Sequence, residues 1–328
     1  MPLVACDVAK ATLDAAWLDE PRQCWFERSK IANNRRGWRE MLSWLEKSCG
    51  TGRREFTLIV EATGVYHRPL IDFAVAQGLR VIVTNPGRAA ENARSHNRLN
   101  KNDRLDARSL YGYGKELKEV HEYVPDRPEI SVLKALLSRL RQLDKDLHRE
   151  RNRLEKCPFI AGSQGLAASI RRQIKALERE TNSIQREIDE LIRTDALLKH
   201  LQKLLCSIKG IGKVASQWLL PLLYRQQFAS ARQLAAFLGL TPVHKRSGTS
   251  LKKRGHLSGR GNGYLRSRLY MPAVTAITHN PQLATFYDTL IRRGKTPKQA
   301  LTAVMRKLVH ISYGVVKNDQ PYRCQVSA

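Results

Sequence analysis

Acidic side chains are scarce in the last part of this chain. Residues 201–328 contain 21 Lys and Arg but only two acids, Asp288 and Asp319, and the 328-residue chain carries a formal net charge of +27. Such a stretch is typical of proteins that bind nucleic acids, because the phosphate backbone is densely negative. A membrane-surface protein usually carries a basic amphipathic helix or a lipid-anchor motif, and neither is found. A merely soluble basic surface is the remaining alternative.

The sequence also lacks paired cysteines and long apolar runs. Its six cysteines never form a C-x-x-C pair, which argues against a zinc site and favours buried thiols in a reducing compartment. No apolar segment is long enough to cross a bilayer, and the chain begins with a strand-like run instead of a signal peptide. We therefore expect a cytoplasmic protein with no membrane partner.

Strand and helix patterns alternate in residues 1–128, which we predict to form one α/β domain. Three apolar runs in residues 3–26 indicate a strand meander, and a helical pattern follows over 33–47. Further strands are predicted at 56–60 and 79–83, and helices at about 65–77 and 103–117. Three strands, helix, strand, helix, strand, helix is the order of the RNase H-like (resolvase-like) fold. That fold carries its metal-binding acids on its first strand, its fourth strand and its last helix.

Four acids stand at those three places. Asp7 ends the run LVACD and Glu61 ends the run TLIVE, while Asp103 and Asp106 lie three apart in KNDRLDA, on one face of a helix. Carboxylates from three elements can converge on Mg²⁺, and two such ions about 3.5–4 Å apart can clamp the attacking and leaving oxygens of a phosphodiester. Each acid alone has a plainer explanation, since strand-end acids are common and Asp103 could cap its helix. Together they predict a metal-dependent catalytic site.

Two segments rich in leucine and isoleucine dominate residues 129–200. Apolar residues at alternating steps of three and four run over 133–154 and again over 170–191. The first run consists of Leu133, Leu136, Leu140, Leu143, Leu147 and Leu154. A proline and two glycines interrupt the helical pattern between them. We predict a coiled-coil helical hairpin that serves as a dimerisation arm. An ordinary pair of helices packed on the core is the alternative.

Residues 201–328 are predicted to form a mainly helical basic domain. The segment SIKGIGKVAS matches a helix-hairpin-helix, whose glycine turn would direct backbone N–H groups toward a phosphate. A plain corner between two helices could use the same glycines. A surface loop or irregular hairpin rich in Gly, Ser, Lys and Arg follows, and then a helix from Tyr264 to Ile277. The candidates for nucleic-acid contacts are Lys209, Lys213, Lys252, Lys253, Arg254 and Arg260.

The same loop contains several hydroxyl groups that could act as a nucleophile. Dense Lys and Arg around Ser247 would hold a scissile phosphate and offset the charge that develops on it. Thr249, Ser250 and Ser258 are equally well placed, and a phosphate-binding loop whose serine only donates a hydrogen bond is the plainer interpretation. The residue types alone do not select Ser247.

Six motifs of this chain, in their order, resemble those of the DEDD-type transposases of bacterial insertion sequences. They are IVEATGVY, KNDRLDARSL, SIKGIGKVAS, FLGLTP, RSG and GNGYLRSRLY. That family includes pilin-gene DNA invertases and bridge-RNA-guided recombinases, and the resemblance covers nearly the whole chain. It implies a resolvase-like first domain, a coiled-coil segment and a C-terminal transposase domain. Matched residue by residue, Asp7, Glu61, Asp103 and Asp106 correspond to the metal-binding tetrad and Ser247 to a serine nucleophile.

The resemblance also implies a substrate and partners. It implies a recombinase that cuts and exchanges strands of target and donor double-stranded DNA through a covalent phosphoserine intermediate, without ATP. A noncoding guide (bridge) RNA would pair with both DNAs. From the separate placement of the acid and serine motifs, we further hypothesise that the helical arms join protomers into a dimer or tetramer, so that acids of one subunit meet the serine of another. A bacterial, nucleoid-associated location would follow.

Two other functions remain open on the sequence. A Holliday-junction-resolvase-like endonuclease would use the acids to activate water, and Ser247 would only bind phosphate. A non-catalytic nucleic-acid architectural protein would need neither group. Only the recombinase forms a covalent adduct with DNA, and only the architectural protein keeps every activity after Asp7→Asn.

Overall fold

The computed structural model describes residues 2–50, 52, 55–62, 64–95, 103–117, 122–160, 164–225, 227–243, 246–247, 251–252, 256–257 and 261–324. The chain divides into two compact units, Met1–Pro125 and Asp126–Ala328. The first is a mixed α/β sheet domain and the second is mostly helical, as the sequence predicted. The finer division into domains 1–128, 129–200 and 201–328 stays a prediction.

A five-stranded sheet forms the centre of the first unit, with strand order β3-β2-β1-β4-β5. The first three strands form an antiparallel meander, whereas β4 lies parallel to β1, and β5 parallel to β4. This arrangement is consistent with an RNase H-like domain. The strands are β1 (Leu3–Val8), β2 (Thr12–Asp19), β3 (Cys24–Ala32), β4 (Thr57–Glu61) and β5 (Arg80–Thr84).

Helices lie on both faces of this sheet. Side chains alternate between the faces along each strand, so Val4 and Cys6 of β1 pack with the first two helices, while Ala5 packs with the fourth. The first helix begins after Asn34, whose side chain accepts a hydrogen bond from the Gly37 N–H, as an N-cap does. The helices of this unit are α1 (Arg35–Cys49), α2 (Arg68–Ala76), α3 (Pro86–Ser95) and α4 (Asp103–Glu116).

A long helical hairpin opens the second unit. Helices α5 (Pro128–Lys156) and α6 (Gln164–Thr194) are joined through a short 3₁₀ turn at Cys157–Phe159. Ion pairs join Arg127 to Asp195 at 2.8 Å and Arg151 to Glu178 at 2.9 Å, so the two helices are antiparallel. The predicted pattern of apolar residues omitted Leu137, which is buried in this seam. The coiled-coil character and the dimerising role stay predictions.

The rest of the second unit packs around its last helix, which contacts four of the other helices. The helix predicted from Tyr264 to Ile277 is in fact two helices that meet at Leu269. The break follows from Pro272, which has no N–H to donate to the Arg268 carbonyl. The helices are α7 (Ala196–Cys206), α8 (Lys213–Leu223), α9 (Ala231–Phe237), α10 (Gly263–Arg268), α11 (Tyr270–His279), α12 (Pro281–Arg292) and α13 (Pro297–Lys317).

Four two-residue strands occur here, one just before the segment that was predicted as a loop or irregular hairpin and three within it. Strand β6 (Pro242–Val243) pairs antiparallel with β9 (His256–Leu257), and β7 (Arg246–Ser247) pairs antiparallel with β8 (Leu251–Lys252). None of the helices described is both long and apolar enough to span a lipid bilayer.

Candidate active site

Asp7 and Glu61 lie at the same end of neighbouring strands and on the same face of the sheet. Strands β1 and β4 are parallel and pair Cys6 with Val60, so the two acids are the next residues along each strand. Neighbouring strands are about 4.8 Å apart, which brings the two backbones close together. Each acid is two residues beyond a member of the cluster that packs against α4, and side chains alternate along a strand. The structure therefore brings together two of the four predicted acids.

The C-terminal half of α4 covers the opposite end of this sheet face. Gly114 packs so closely that a Cβ atom there would lie 2.7 Å from Ile59 Cδ1 and 2.8 Å from Leu3 Cδ2. Leu3 is the first residue of β1. This part of α4 is therefore held near the start of β1, away from Asp7 and Glu61.

The N-terminal half of α4 lies nearer to the acids. Arg108 pairs with Glu27 of β3, with 2.5 Å between Arg Nε and Glu Oε1. Glu27 pairs with Ala16 of β2, and Ala16 pairs in turn with Ala5 of β1. Ala5 lies two residues before Asp7. The helix therefore runs antiparallel to β1, and its first turn, which begins at Asp103, lies toward the strand ends that carry the acids.

The other two predicted acids are described only by their backbone. Asp103 opens α4 and Asp106 follows in its first turn, and their side chains lie outside what the structure describes. Among the described side chains, no three His, Cys, Asp or Glu residues form a group that could hold a metal ion. Asp7 and Glu61 supply carboxylate oxygens, the ligand type that hard divalent cations take, so they fit such an ion as part of a larger set. The tetrad itself stays a prediction.

A further carboxylate lies beside Asp7. Asp14 is its cross-strand neighbour in the antiparallel β1–β2 pair and therefore shares its face. The Asp14 Oδ1 atom accepts a hydrogen bond of 2.9 Å from the backbone N–H of Lys30, a residue with a φ of 55° at an irregular part of β3. Burial raises the pKa of the neighbouring Cys6 thiol, and the charges of Asp7 and Asp14 raise it further. Sequence analysis missed Asp14, because the two-residue period of a strand does not fix the register between neighbouring strands.

Ser247 lies in the second unit, in β7, where its cross-strand partner is Leu251 of β8. Its side chain and that of Lys252 lie outside the description, and so do the whole residues Lys253, Arg254 and Arg260. The roles that the sequence assigned to these five residues stay predictions.

Both ends of the segment around Ser247 are anchored. Before it, Arg306 Nη1 donates a hydrogen bond of 3.3 Å to the backbone carbonyl of Leu240. After it, Gly261 has a φ of 102°, and a Cβ atom there would lie 2.6 Å from both the Phe237 carbonyl oxygen and the Gly239 nitrogen. Only glycine fits this conformation and this close approach. These two contacts fix where the segment that contains Ser247 leaves the helices of the second unit and where it returns to them.

A glycine turn joins α7 to α8, as the sequence predicted for a helix-hairpin-helix. Gly210 has a φ of 110°, and Gly212 precedes α8 as an N-cap that has no side chain. Lys209 is exposed. Lys213, by contrast, is paired with Asp189 of α6, with 2.7 Å between Nζ and Oδ2, which the sequence did not anticipate. Assignment of this turn as a nucleic-acid-binding helix-hairpin-helix stays a prediction.

Comparison with known proteins connects both units to one family. Residues 4–157 match a family model for transposases, DEDD_Tnp_IS110, and residues 202–288 match the model of the transposase IS116/IS110/IS902 family. The pilin gene-inverting protein of Moraxella bovis is 32% identical over 321 residues, which is 97% of each chain. The Moraxella lacunata protein of the same name is 31% identical over the same span. A probable family 20 transposase of Pseudomonas aeruginosa is 33% identical over 116 residues, 35% of this chain and 33% of its own.

The resemblance inferred from the motifs is therefore confirmed over the full chain. A DEDD-type domain indicates that activity depends on divalent metal ions. The chain belongs to the IS116/IS110/IS902 family of transposases and is a DNA recombinase of that class.

Proposed function

We propose that this transposase exchanges DNA strands through a covalent phosphoserine at Ser247 and requires Mg²⁺ held by a carboxylate tetrad. The proposed ligands are Asp7, Glu61, Asp103 and Asp106. One observation carries the proposal: β1, β4 and the first turn of α4 approach one another at one end of the sheet, and each contributes at least one of these acids. A convergence of these carboxylates would be difficult to explain by folding alone, because like charges close together destabilise the folded state.

The proposed tetrad depends on the position of α4. The Arg108–Glu27 ion pair and the close packing of Gly114 on Leu3 hold this helix against the sheet. Bound Mg²⁺, which we propose as two ions, would stabilise negative charge developing on phosphate oxygens. The carboxylates would hold the ions and orient the phosphate beside them.

The strand exchange itself needs no external energy. The Ser247 Oγ attacks a DNA phosphorus and the phosphorus–oxygen bond to the leaving strand breaks, while the serine proton passes to the leaving oxygen, which is released as a hydroxyl end. A hydroxyl end of a second strand then attacks the phosphoserine, accepts the phosphate and restores the serine. One phosphate ester replaces another in each step. The neighbouring Lys252, Lys253 and Arg254 would offset the developing charge.

The partners that we propose follow from the family and from the charge. The target and donor would be double-stranded DNA at the nucleoid, and a noncoding guide RNA would pair with both. Binding several strands through their phosphate backbones requires many cations. Residues 201–328 hold 21 Lys and Arg against two acids. The hairpin of α5 and α6 would act as a coiled-coil arm that joins a dimer or tetramer, and the glycine turn before α8 would contact backbone as a helix-hairpin-helix.

A trapping experiment tests the proposed nucleophile. The purified chain is incubated with its DNA and guide RNA, denatured, and analysed for DNA joined to protein, with mass spectrometry to locate the linkage. We expect the adduct at Ser247 and its loss in Ser247→Ala, whereas Thr249→Ala and Ser250→Ala retain it. Cleavage without any adduct would instead support the resolvase-like endonuclease.

A metal titration tests the proposed tetrad. Asp7→Asn and Glu61→Gln should abolish cleavage and weaken Mg²⁺ binding in calorimetry, because each removes a ligand charge. Asp72→Asn, an exposed acid on α2, is the matched control and should change neither. Full cleavage and unchanged Mg²⁺ binding by Asp7→Asn would overturn the proposed tetrad.

A further inference from the structure

A basic cleft lies in the second unit between α6, α7 and α8. Its volume is about 550 Å³, and it is lined by Arg186, Arg193, Lys199 and Lys213, with Asp189 and Glu190 as the acids. Cations therefore outnumber anions by two around its mouth. The volume lies in the range of sites that bind small ligands or parts of larger ones.

Some of the cations in this cleft form ion pairs with carboxylates and others do not. Arg193 pairs with Glu190 on its own helix, and Lys213 pairs with Asp189. No carboxylate in the described part of the chain forms an ion pair with the exposed Arg186 or Lys199. Two cations are thus available to an anion, and a third, Lys213, is held by one carboxylate.

Asp189 is held firmly on the protein side. The side-chain amide of Gln217, a fully buried residue, donates a hydrogen bond of 2.7 Å to Asp189 Oδ1, and Gln185 donates one of 2.9 Å to Gln217 Oε1. Lys213 is by contrast 59% exposed and carries a long flexible stem. Of the two partners, the lysine is the one free to move.

Lys213 is also the first residue of α8, immediately after the glycine cap. Backbone N–H groups at the start of a helix have no intrahelical partner and favour negative charge. A phosphate at this end of the cleft would therefore meet the helix start, Lys213 and the cations of α6 and α7 together.

We infer that this cleft binds the phosphodiester backbone of a nucleic-acid strand, and that Asp189 lowers its affinity by competing with the phosphate for Lys213. The inference rests on the proposed function only in taking a nucleic acid as the partner. Arg186 and Lys199 supply attraction that is always available. Lys213 transfers from Asp189 to a phosphate when a strand enters, so that weak or misplaced strands are released.

A matched pair of acid substitutions tests the competition. Asp189→Asn keeps the acceptor for Gln217 but removes the charge that holds Lys213, and binding should tighten by about threefold to fivefold. Glu187→Gln neutralises an exposed acid two residues away on the same helix, outside the cleft, and should change the Kd by less than about twofold. In a Lys213→Gln background, the gain from Asp189→Asn should fall to that of the control.

Binding is measured with the full-length chain without Mg²⁺, by fluorescence anisotropy of labelled oligonucleotides. Single-stranded DNA, duplex DNA and single-stranded RNA of one sequence form the three arms, and the arm in which the Asp189→Asn effect is largest identifies the strand. Arg186→Gln and Lys199→Gln should each reduce the slope of log K against log salt by about 1. Arg172→Gln, on the same helix but outside the cleft, should reduce it less. Thermal unfolding verifies that each variant is folded.

Equal effects of Asp189→Asn and Glu187→Gln in all three arms would overturn the inference, and so would a gain that survives in Lys213→Gln. These outcomes are independent of the proposed chemistry. If the Ser247 adduct forms while Asp189→Asn binds as the parent does, only this inference fails. If Asp189→Asn binds tighter while no adduct forms, only the proposed phosphoserine route fails.

Discussion

Asp144 connects the long helix α5 to α10, the helix that follows the Ser247 segment. Its Oδ2 atom accepts a hydrogen bond of 2.9 Å from the Tyr264 hydroxyl and another from Arg268. The guanidinium groups of Arg268 and Arg141 lie over the Tyr264 ring, 4.8 and 4.9 Å from its centroid, and the ring meets Trp218 edge-on at 5.0 Å. Partial burial raises the pKa of Tyr264 to about 12 and lowers that of Arg268, so this site is partly shielded from water.

Replacing Asp144 by alanine should therefore be costly. The substitution removes both hydrogen bonds and leaves the Arg268 charge unpaired beside two aromatic rings. Hydrogen bonds to charged groups contribute about 1.5–3 kcal/mol each, and their loss is not additive. Because the two side chains are 38% and 34% exposed, water replaces part of what is lost. We expect a loss of about 2 kcal/mol in the free energy of unfolding, equivalent to roughly 4–8 °C in Tm for a unit of this size.

Asp146 provides the matched control on the same helix. Its one ion pair among the described residues is with Arg149, one turn away, so Asp146→Ala should cost less than about 0.5 kcal/mol. Amide hydrogen exchange with mass spectrometry measures both variants and resolves α5 and α10 peptides from those of the first unit. Faster exchange is expected in α5 and α10 of Asp144→Ala alone. Equal exchange in the two variants would refute the assignment of Asp144 as the link.

Three further outcomes are expected. Gly210→Ala should lose about 2–4 kcal/mol in calorimetric stability, because its Cβ would lie 2.6 Å from a side chain of α11 at a φ of 110°, whereas Gly212→Ala, which meets nothing within 4 Å, should lose less than about 1 kcal/mol. Burial would raise the pKa of Asp126, but hydrogen bonds from a lysine and a tyrosine outweigh burial and lower it. Its stabilisation is thus present above the unfolded pKa of about 3.9 and is lost as the pH falls through the folded pKa, so Asp126→Asn should lower stability at pH 7 and match the parent in strong acid. Native-state iodoacetamide labelling should modify exposed Cys24 and spare Cys6, which is buried with a raised pKa, and rapid labelling of Cys6 would contradict the described core.

The sheet and the ends of its strands were predictable because a strand imposes a two-residue period on its sequence. The runs LVACD and TLIVE identify β1 and β4 and also the point where each becomes polar. The same period could not reveal that Asp14 lies beside Asp7, because register between strands depends on the turn that joins them.

Helix boundaries and ion pairs were harder to predict from the sequence. The break at Leu269 follows from one proline whose effect depends on where the helix starts. The omission of Leu137 from the predicted seam arose because a buried stripe on a helix can be wider than a strict heptad. Asp189 lies on α6 and Lys213 on α8, so no local pattern connects them.

The sequence by itself determined the class of protein, the order of its elements and the basic character of residues 201–328, since these depend on composition, periodicity and motifs that are local along the chain. Only the tertiary structure decided that α4 runs antiparallel to β1, so that its first turn approaches Asp7 and Glu61, and that Asp189 engages Lys213. Both depend on packing between residues far apart in sequence. The direction of a helix across a sheet is set by which side chains fit, such as Gly114 on Leu3, and not by the helix sequence alone.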